Sequence, residues 1–231
     1  MKICGLNKTT LLDYPGKVAA TIFLGSCNFR CPFCHNSSLV LHASREPEIP
    51  REEVLSFLEK RRGILDGVCI TGGEPTLSPE LDGFLQEIRS LDYAIKLDTN
   101  GSRPDTVKEL VRRGLVDKIA MDIKACPDNY GTLAGLLFPD LDSIRQSADF
   151  LMEGHVDYEF RTTVVKELHT EKDFREIGQW LKGAKAYYLQ AYKDSGEVLQ
   201  PGFSSYSLDE LKRFRSILLE TIPLVEIRGI D

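Results

Sequence analysis

Two kinds of apolar pattern alternate along the chain. Short runs rich in β-branched and aromatic residues read as strands: "VAATIFL" (18–24), "VCIT" (68–71), "AIKLDT" (94–99), "KIAMDI" (118–123), "YEFRTTVV" (158–165) and "AYYLQAY" (186–192). Between them lie stretches with apolar residues three and four apart, each with helix punctuation. Pro50 opens one, carrying Val54, Leu55 and Leu58 and stopping near Gly63. Ser78-Pro79 opens the next, with Leu81, Phe84, Leu85 and Ile88 on one face. Pro104 opens a third, which ends near Gly114. Ile144, Ala148 and Leu151 mark a fourth, closed by Gly154. Thr170 caps a fifth, with Phe174, Ile177 and Leu181 inward. Ser207 and Glu210 form a capping box for the sixth, above Leu211, Phe214 and Leu218.

Six strand–helix units in alternation imply an α/β fold with parallel strands and right-handed crossovers. Every strand is apolar in its body and polar at its C-terminal end. The first runs into a cysteine-rich loop. The next three end in "TGGEP" (71–75), "DTNG" (98–101) and "MDIK" (121–124). The fifth carries Arg161 and Thr162, and the sixth leads to Gln190 and Lys193. Sites in parallel α/β folds are built at that edge. An open doubly wound sheet uses mainly its switch point, so polar groups from all six strands favour a curved sheet around one centre. Six units fall short of the eight of a closed barrel, and the expectation is a partial (β/α)6 barrel. One domain is expected over 1–231, with a core at about 17–193 and a C-terminal helix and tail at 194–231.

Composition narrows the partners. The chain has 231 residues, is 42% hydrophobic and carries a net charge of -6. No lysine/arginine block suggests nucleic-acid binding. No run approaches the roughly twenty apolar residues of a membrane span, and the start "MKICGLNKTTLLDYPG" has no signal-peptide pattern. The expectation is a cytoplasmic protein, in which clustered cysteines stay reduced and bind metal or react.

Three of the six cysteines fall in "CNFRCPFC" (27–34). Buried structural thiols are one reading, but Asn28 and Arg30 make the loop polar. A closed zinc site wants four ligands, and His35, directly after Cys34, is poorly spaced to be the fourth. An iron–sulfur cubane usually takes four cysteines. Three leave one iron open, and an open metal position is how a catalytic site differs from a structural one.

The pattern Cys27, Cys31, Phe33 and Cys34, after a first strand and with Gly72-Gly73-Glu74 after the second, resembles the signature of radical S-adenosylmethionine (SAM) enzymes. "DYPG", "CNFRCPFCHN", "GGEPTL", "LDTNG", "MDIKA" and "RTTVV" follow in order as in glycyl-radical-enzyme activases, and the resemblance spans about Gly5 to Gln190. Pyruvate formate-lyase activating enzymes and anaerobic ribonucleoside-triphosphate reductase activating proteins are such groups, the latter being the nearer. The resemblance implies a [4Fe-4S] cluster on Cys27, Cys31 and Cys34, with SAM chelating the open iron. It implies an electron from reduced flavodoxin or ferredoxin, cleavage of SAM to a 5′-deoxyadenosyl radical, and a glycyl radical installed on a partner enzyme.

The same resemblance implies residue roles. Gly72, Gly73 and Glu74 bind the SAM ammonium. Phe33 lies over the adenine. Thr99, Asp122, Lys124 and Arg161 contact SAM, and Asp98 with Asp122 holds a monovalent cation. Asp13 lies near the target peptide. Tyr14 departs from the usual glycine of that loop, and Lys193 stands where pyruvate formate-lyase activases have a histidine. Each residue also has a plainer reading: a strand-to-helix turn for the glycines, charge alternation for the aspartates, a structural ion pair for Arg161 and packing for Phe33. Cys69 reads as core, Cys4 and Cys126 stand outside the motif, His35 reads as structural, and His42, His155 and His169 read as surface or capping residues. Two rival functions remain: a radical SAM enzyme acting on a small molecule, such as a deazapurine synthase, and a non-catalytic iron–sulfur or zinc module.

Overall fold

The computed structural model describes residues 1–194 and 196–230. The six expected strands form as β2 (Ala19–Leu24), β3 (Gly67–Gly72), β4 (Ala94–Thr99), β5 (Lys118–Asp122), β6 (Asp157–Val164) and β7 (Tyr187–Ala191), all parallel. Two further strands flank them. β1 (Ile3–Thr10) pairs antiparallel with β2, and β8 (Val225–Arg228) pairs parallel with β7. The single sheet therefore runs β1 to β8 in chain order. The sequence reading missed both edges. β1 carries Asn7, Lys8 and Thr9 on its exposed half, and β8 has only four residues.

Helices α1 (Ser37–Leu41), α2 (Arg51–Lys60), α3 (Leu81–Ser90), α4 (Pro104–Arg112), α5 (Tyr130–Ala134), α6 (Leu141–Met152), α7 (Glu171–Trp180) and α8 (Leu208–Leu219) fill the connections. The punctuation operates as expected. Thr170 forms a capping box with Asp173, and Ser207 one with Glu210, satisfying N–H groups that a helix start leaves unpaired. α1 and α5 are single turns too short to show periodicity.

The pleat sorts residues by parity. Ile22, Ile70, Leu97, Ile119, Phe160 and Leu189 are wholly buried in the core shared with the helices. The other face carries Thr21, Cys69, Lys96, Asp98, Asp122, Arg161, Thr163 and Gln190, and six of the eight, all but Cys69 and Lys96, line one cavity. Strands from β2 to β7 thus surround one space, which requires a curved sheet with a polar interior. At its floor, Arg228 of β8 reaches across to fully buried Glu159 of β6 with two hydrogen bonds, 2.6 and 3.2 Å, and Lys118 joins at 3.2 Å. The C-terminal strand is therefore tied to the interior as well as to β7.

Candidate active site

The cysteine loop leaves β2 through Ser26, a non-glycine residue at φ 77°. Gly73 donates to the Leu24 carbonyl at 2.8 Å, and Glu74 donates to the Ser26 carbonyl at 2.8 Å. This approach is possible only for glycine. A Cβ on Gly73 would stand 1.9 Å from the Ser26 oxygen, and one on Gly72 (φ 122°) would stand 2.2 Å from the Leu24 oxygen. The glycine pair thus lets the end of β3 touch the root of the cysteine loop, whatever it does for a ligand. The far side of the loop is clamped by α5. Arg30 donates to the Ala134 carbonyl at 2.8 Å, and left-handed Gly135 sits against the Arg30 carbonyl.

Cys27, Cys31 and Cys34 all line a cavity of about 380 Å³ inside the curved sheet. Burial pushes the Cys27 thiol up to about 11 and the Cys31 thiol up to about 12. Nearby positive charge is needed to hold them as thiolates, and Lys124 acts in that direction on both. Cys27 Sγ accepts from Phe29 N–H at 3.3 Å and faces Asn100 Nδ2 at 3.9 Å. Among the described residues, no three His, Cys, Asp or Glu side chains converge as ligands of a single ion. Three soft sulfur donors spread around one wall fit a cluster of several irons, as an iron–sulfur cubane is held.

Glu74 is 1% exposed. Its carboxylate accepts from Thr76 N at 3.1 Å, from the Thr76 hydroxyl, from Thr99 Oγ1 at 2.7 Å and from Asn100 N at 2.6 Å. Burial pushes its pKa up against those donors. Glu74 stands behind the cavity wall, where it pins the end of β4 to the end of β3, while Gly72, Gly73 and Thr99 face the cavity.

The charged residues form one chain across the interior: Lys96, Asp98, Arg161, Asp122, Lys124. Lys96 pairs with Asp98 Oδ1. Arg161 reaches Asp98 Oδ2 at 3.1 Å and Asp122 Oδ1 at 2.5 Å. Lys124 reaches Asp122 Oδ2 at 2.9 Å. Burial works against both carboxylates, but Arg161 and the flanking lysines outweigh it and hold both pKa values below the usual range. Burial likewise works against the Lys124 ammonium, and Asp122 outweighs it. All four carboxylate oxygens are occupied by the protein's own cations. The expected monovalent-cation site on Asp98 and Asp122 does not fit this arrangement, because the Arg161 guanidinium stands between the two carboxylates. β5 and β6 pair Asp122 with Arg161 in register, which puts it there.

Phe33 is buried, lines the cavity and meets His169 edge-on with centroids 6.2 Å apart. Asp13 also lines it and accepts from Thr21 Oγ1 at 2.5 Å. Tyr14 turns away and packs over Gly67 at the start of β3. His35 contacts the Lys193 carbonyl at 2.5 Å and stacks on Tyr192. Cys69 is core, as read, with Lys96 Nζ 3.8 Å from its sulfur. Cys126 is buried and donates to Asp173 at 3.0 Å, off the cavity. His169, read as a surface or capping residue, is wholly buried. Its ring folds back onto its own turn, a contact between residues four apart that polarity alone does not announce. Lys96, Thr163 and Asn100 were not singled out as site residues, although Lys96 and Thr163 sit at inward parity on their strands, and Gln190, read at the edge of the sixth strand, lines the cavity. A wider depression of about 560 Å³ lies between α4 and α6, lined by Gln146, Asp149 and Glu153. It lies outside the sheet and far from the cysteines.

Known proteins bear on this site. A protein of Methanocaldococcus jannaschii inferred to be a glycyl-radical enzyme activating enzyme is 29% identical, over 99% of this chain and 96% of its own. The pyruvate formate-lyase-activating enzyme of Clostridium pasteurianum is 29% identical over 58% of this chain and 57% of its own. Streptococcus suis SuiB, in a crystal structure bound to S-adenosylmethionine, shares the fold with a TM-score of 0.69 at 16% identity, over 90% of this chain. This chain spans only about half of SuiB, 52% of its length. The sequence model of the Radical SAM superfamily matches residues 21–181, from the inward threonine of β2 to the end of α7 and so across the cysteine loop, the glycine pair and the ion chain; the chain belongs to the radical SAM superfamily.

Proposed function

We propose that this chain binds a [4Fe-4S] cluster on Cys27, Cys31 and Cys34, cleaves SAM reductively, and installs a glycyl radical on a partner enzyme, with anaerobic ribonucleotide reductase the first candidate. The observation that carries this reading is the placement of all three thiols on the same small cavity as Gly72, Gly73 and the ion chain. When bound, the cluster supplies one electron that splits the C5′–S bond of SAM, giving methionine and a 5′-deoxyadenosyl radical, which takes a glycine Cα hydrogen. Reduced flavodoxin or ferredoxin is the proposed source of that electron.

The chain's own residues bind and orient. The main chain at Gly72 and Gly73, backed by Glu74, faces the SAM ammonium. Three cations against two carboxylates leave the ion chain with one net positive charge, which suits the SAM carboxylate near Lys124 and Arg161. Thr99 and Asp122 complete that wall, Phe33 covers the adenine, and Asp13 faces the incoming peptide. Cavity size favours a protein target. About 380 Å³ is near the low end of the roughly 300–1,000 Å³ typical of ligand sites. It leaves little room beside cluster and SAM for a second metabolite, whereas a glycine loop brings only main chain. The full-length similarity to an activating enzyme supports the same choice.

The test is anaerobic reconstitution with iron and sulfide, reduction, addition of SAM and measurement of 5′-deoxyadenosine, with Cys31→Ala alongside. Product from the native chain and none from the variant is the expected result. An anaerobic ribonucleotide reductase added to the same mixture should then gain the doublet of a glycyl radical. Tight zinc with no iron would overturn the cluster reading. Deoxyadenosine formed with a turned-over metabolite, and no glycyl radical on any candidate enzyme, would favour the small-molecule reading.

A further inference from the structure

Beyond Asp122 the β5–β6 ladder ends, and the carbonyls of the residues that follow β5 need other partners. Ile123 O accepts from Thr162 Oγ1 at 2.6 Å. Lys124 O faces His169 Nε2 at 3.0 Å. The other ring nitrogen, Nδ1, accepts from Val165 N–H at 3.1 Å. Since Nδ1 is an acceptor there, Nε2 carries the hydrogen and donates to Lys124 O, and the ring is neutral. Burial, which pulls the His169 pKa down, keeps it so. The residue's own main chain is fixed as well: His169 N donates to Val165 O at 3.0 Å, and His169 O accepts from the Tyr206 hydroxyl at 2.6 Å. One ring face stacks on Phe174 at 5.8 Å, and Phe33 of the cysteine loop meets it edge-on.

One buried imidazole therefore touches two walls of the cavity. It holds the backbone that carries the Lys124 ammonium, and it supports the ring of Phe33 between Cys31 and Cys34. We infer that His169 is a positioning residue that sets the distance between Lys124 and the cysteine loop, and through them the affinity for SAM. This inference rests on the SAM-binding reading of the cavity. Thr162 holds the adjacent carbonyl from within β6, whereas His169 links the segment after β5, the β6–α7 turn and the cysteine loop.

His169→Phe keeps the ring contacts and removes both hydrogen bonds, and His169→Gln keeps a donor of similar reach. The measurement is the dissociation constant for SAM on the reconstituted chain, with iron per chain and melting temperature read in parallel. The expected result is a SAM affinity reduced about tenfold or more in His169→Phe, the scale seen when the partner that orients a ligand-holding group is lost. Iron content should be unchanged, and His169→Gln should recover part of the affinity. A double-mutant cycle supplies the decisive arm. In a Lys124→Met background, His169→Phe should cost little further affinity, because residues that act through one another are not additive. Native-like SAM affinity in both His169 variants would overturn the inference, as would a loss that simply adds to that of Lys124→Met. If His169→Phe fails to fold, His169→Gln runs the same cycle. Failure of the native chain to bind SAM at all would strike the proposed function instead.

Discussion

Arg161→Met tests the ion chain most directly. Methionine keeps the apolar stem of arginine and removes the guanidinium. Asp98 Oδ2 then loses its partner at 3.1 Å and Asp122 Oδ1 its partner at 2.5 Å. The side chains of Asp98 and Arg161 are 11% and 14% exposed, so little water is available to replace the contact. Breaking a buried ion pair costs about 3–5 kcal/mol when the remaining charge has no other partner. Here Asp98 keeps Lys96 and Asp122 keeps Lys124, so the expected loss is about 2–4 kcal/mol at pH 7. In a chain of this size that corresponds to a melting temperature lower by roughly 4–16 °C.

The pH dependence separates this account from a simple packing defect. In the native chain both carboxylates are held below their unfolded pKa values. They add stability above about pH 4 and lose it as the medium is acidified through the folded values. Without Arg161 the folded pKa values rise, and a protonated carboxyl needs no guanidinium. The deficit of Arg161→Met relative to the native chain should therefore be largest at neutral pH and shrink toward pH 4.5, by up to about 1.4 kcal/mol per pH unit for each proton bound. Vacating the guanidinium also leaves two carboxylates facing an open space, so potassium should raise the unfolding free energy of the variant more than that of the native chain. Urea unfolding from pH 7 to 4.5, with potassium against tetramethylammonium at equal ionic strength, measures both effects. A loss under about 0.5 kcal/mol, the range of an ordinary surface substitution, or a deficit that does not change with pH, would refute the reasoning.

Three further outcomes follow from the same geometry. Gly73→Ala puts a Cβ 1.9 Å from the Ser26 oxygen, where real contacts stay beyond 3.0 Å; the chains must part by about 1 Å, costing about 1–3 kcal/mol, and reconstituted iron per chain should fall with the melting temperature. Glu74→Gln turns an amide N–H₂ toward one of the donors from Asn100 N, Thr99 or Thr76; denaturant unfolding should show a loss of about 1–3 kcal/mol, the cost of a buried donor left unpaired. His169 is buried with its pKa pulled down, so the unfolded chain takes up its proton first as pH falls. Stability should be level above about pH 6.5 and decline below it by up to about 1.4 kcal/mol per pH unit, and His169→Gln should flatten that segment of the titration.

Much of this was legible because the chemistry lies where sequence signals are strongest. The starts of α6, α7 and α8 carry side-chain caps and those of α2 and α4 carry prolines, strand bodies carry β-branched runs, and the cysteines and glycines mark the turns after β2 and β3. The inner face was also encoded, in the alternation of Lys96 with Asp98 and of Arg161 with Thr163, but alternation reads equally as a strand half exposed to water. Only curvature turns that polar face inward, and curvature is a property of the whole sheet. The edges were hidden for a related reason. β1 has a partner on one side and keeps Asn7, Lys8 and Thr9 exposed, so it lacks the apolar density of a central strand. The expected cation site shows the limit most sharply. Two aspartates at the ends of neighbouring strands look alike in sequence whether a metal ion or a guanidinium lies between them. The deciding fact is the register that sets Asp122 beside Arg161, and a one-residue slip would have turned Arg161 to the helix-covered face. The electrostatics of this site are thus a consequence of strand pairing, which is why Arg161→Met should free one oxygen on each carboxylate for potassium.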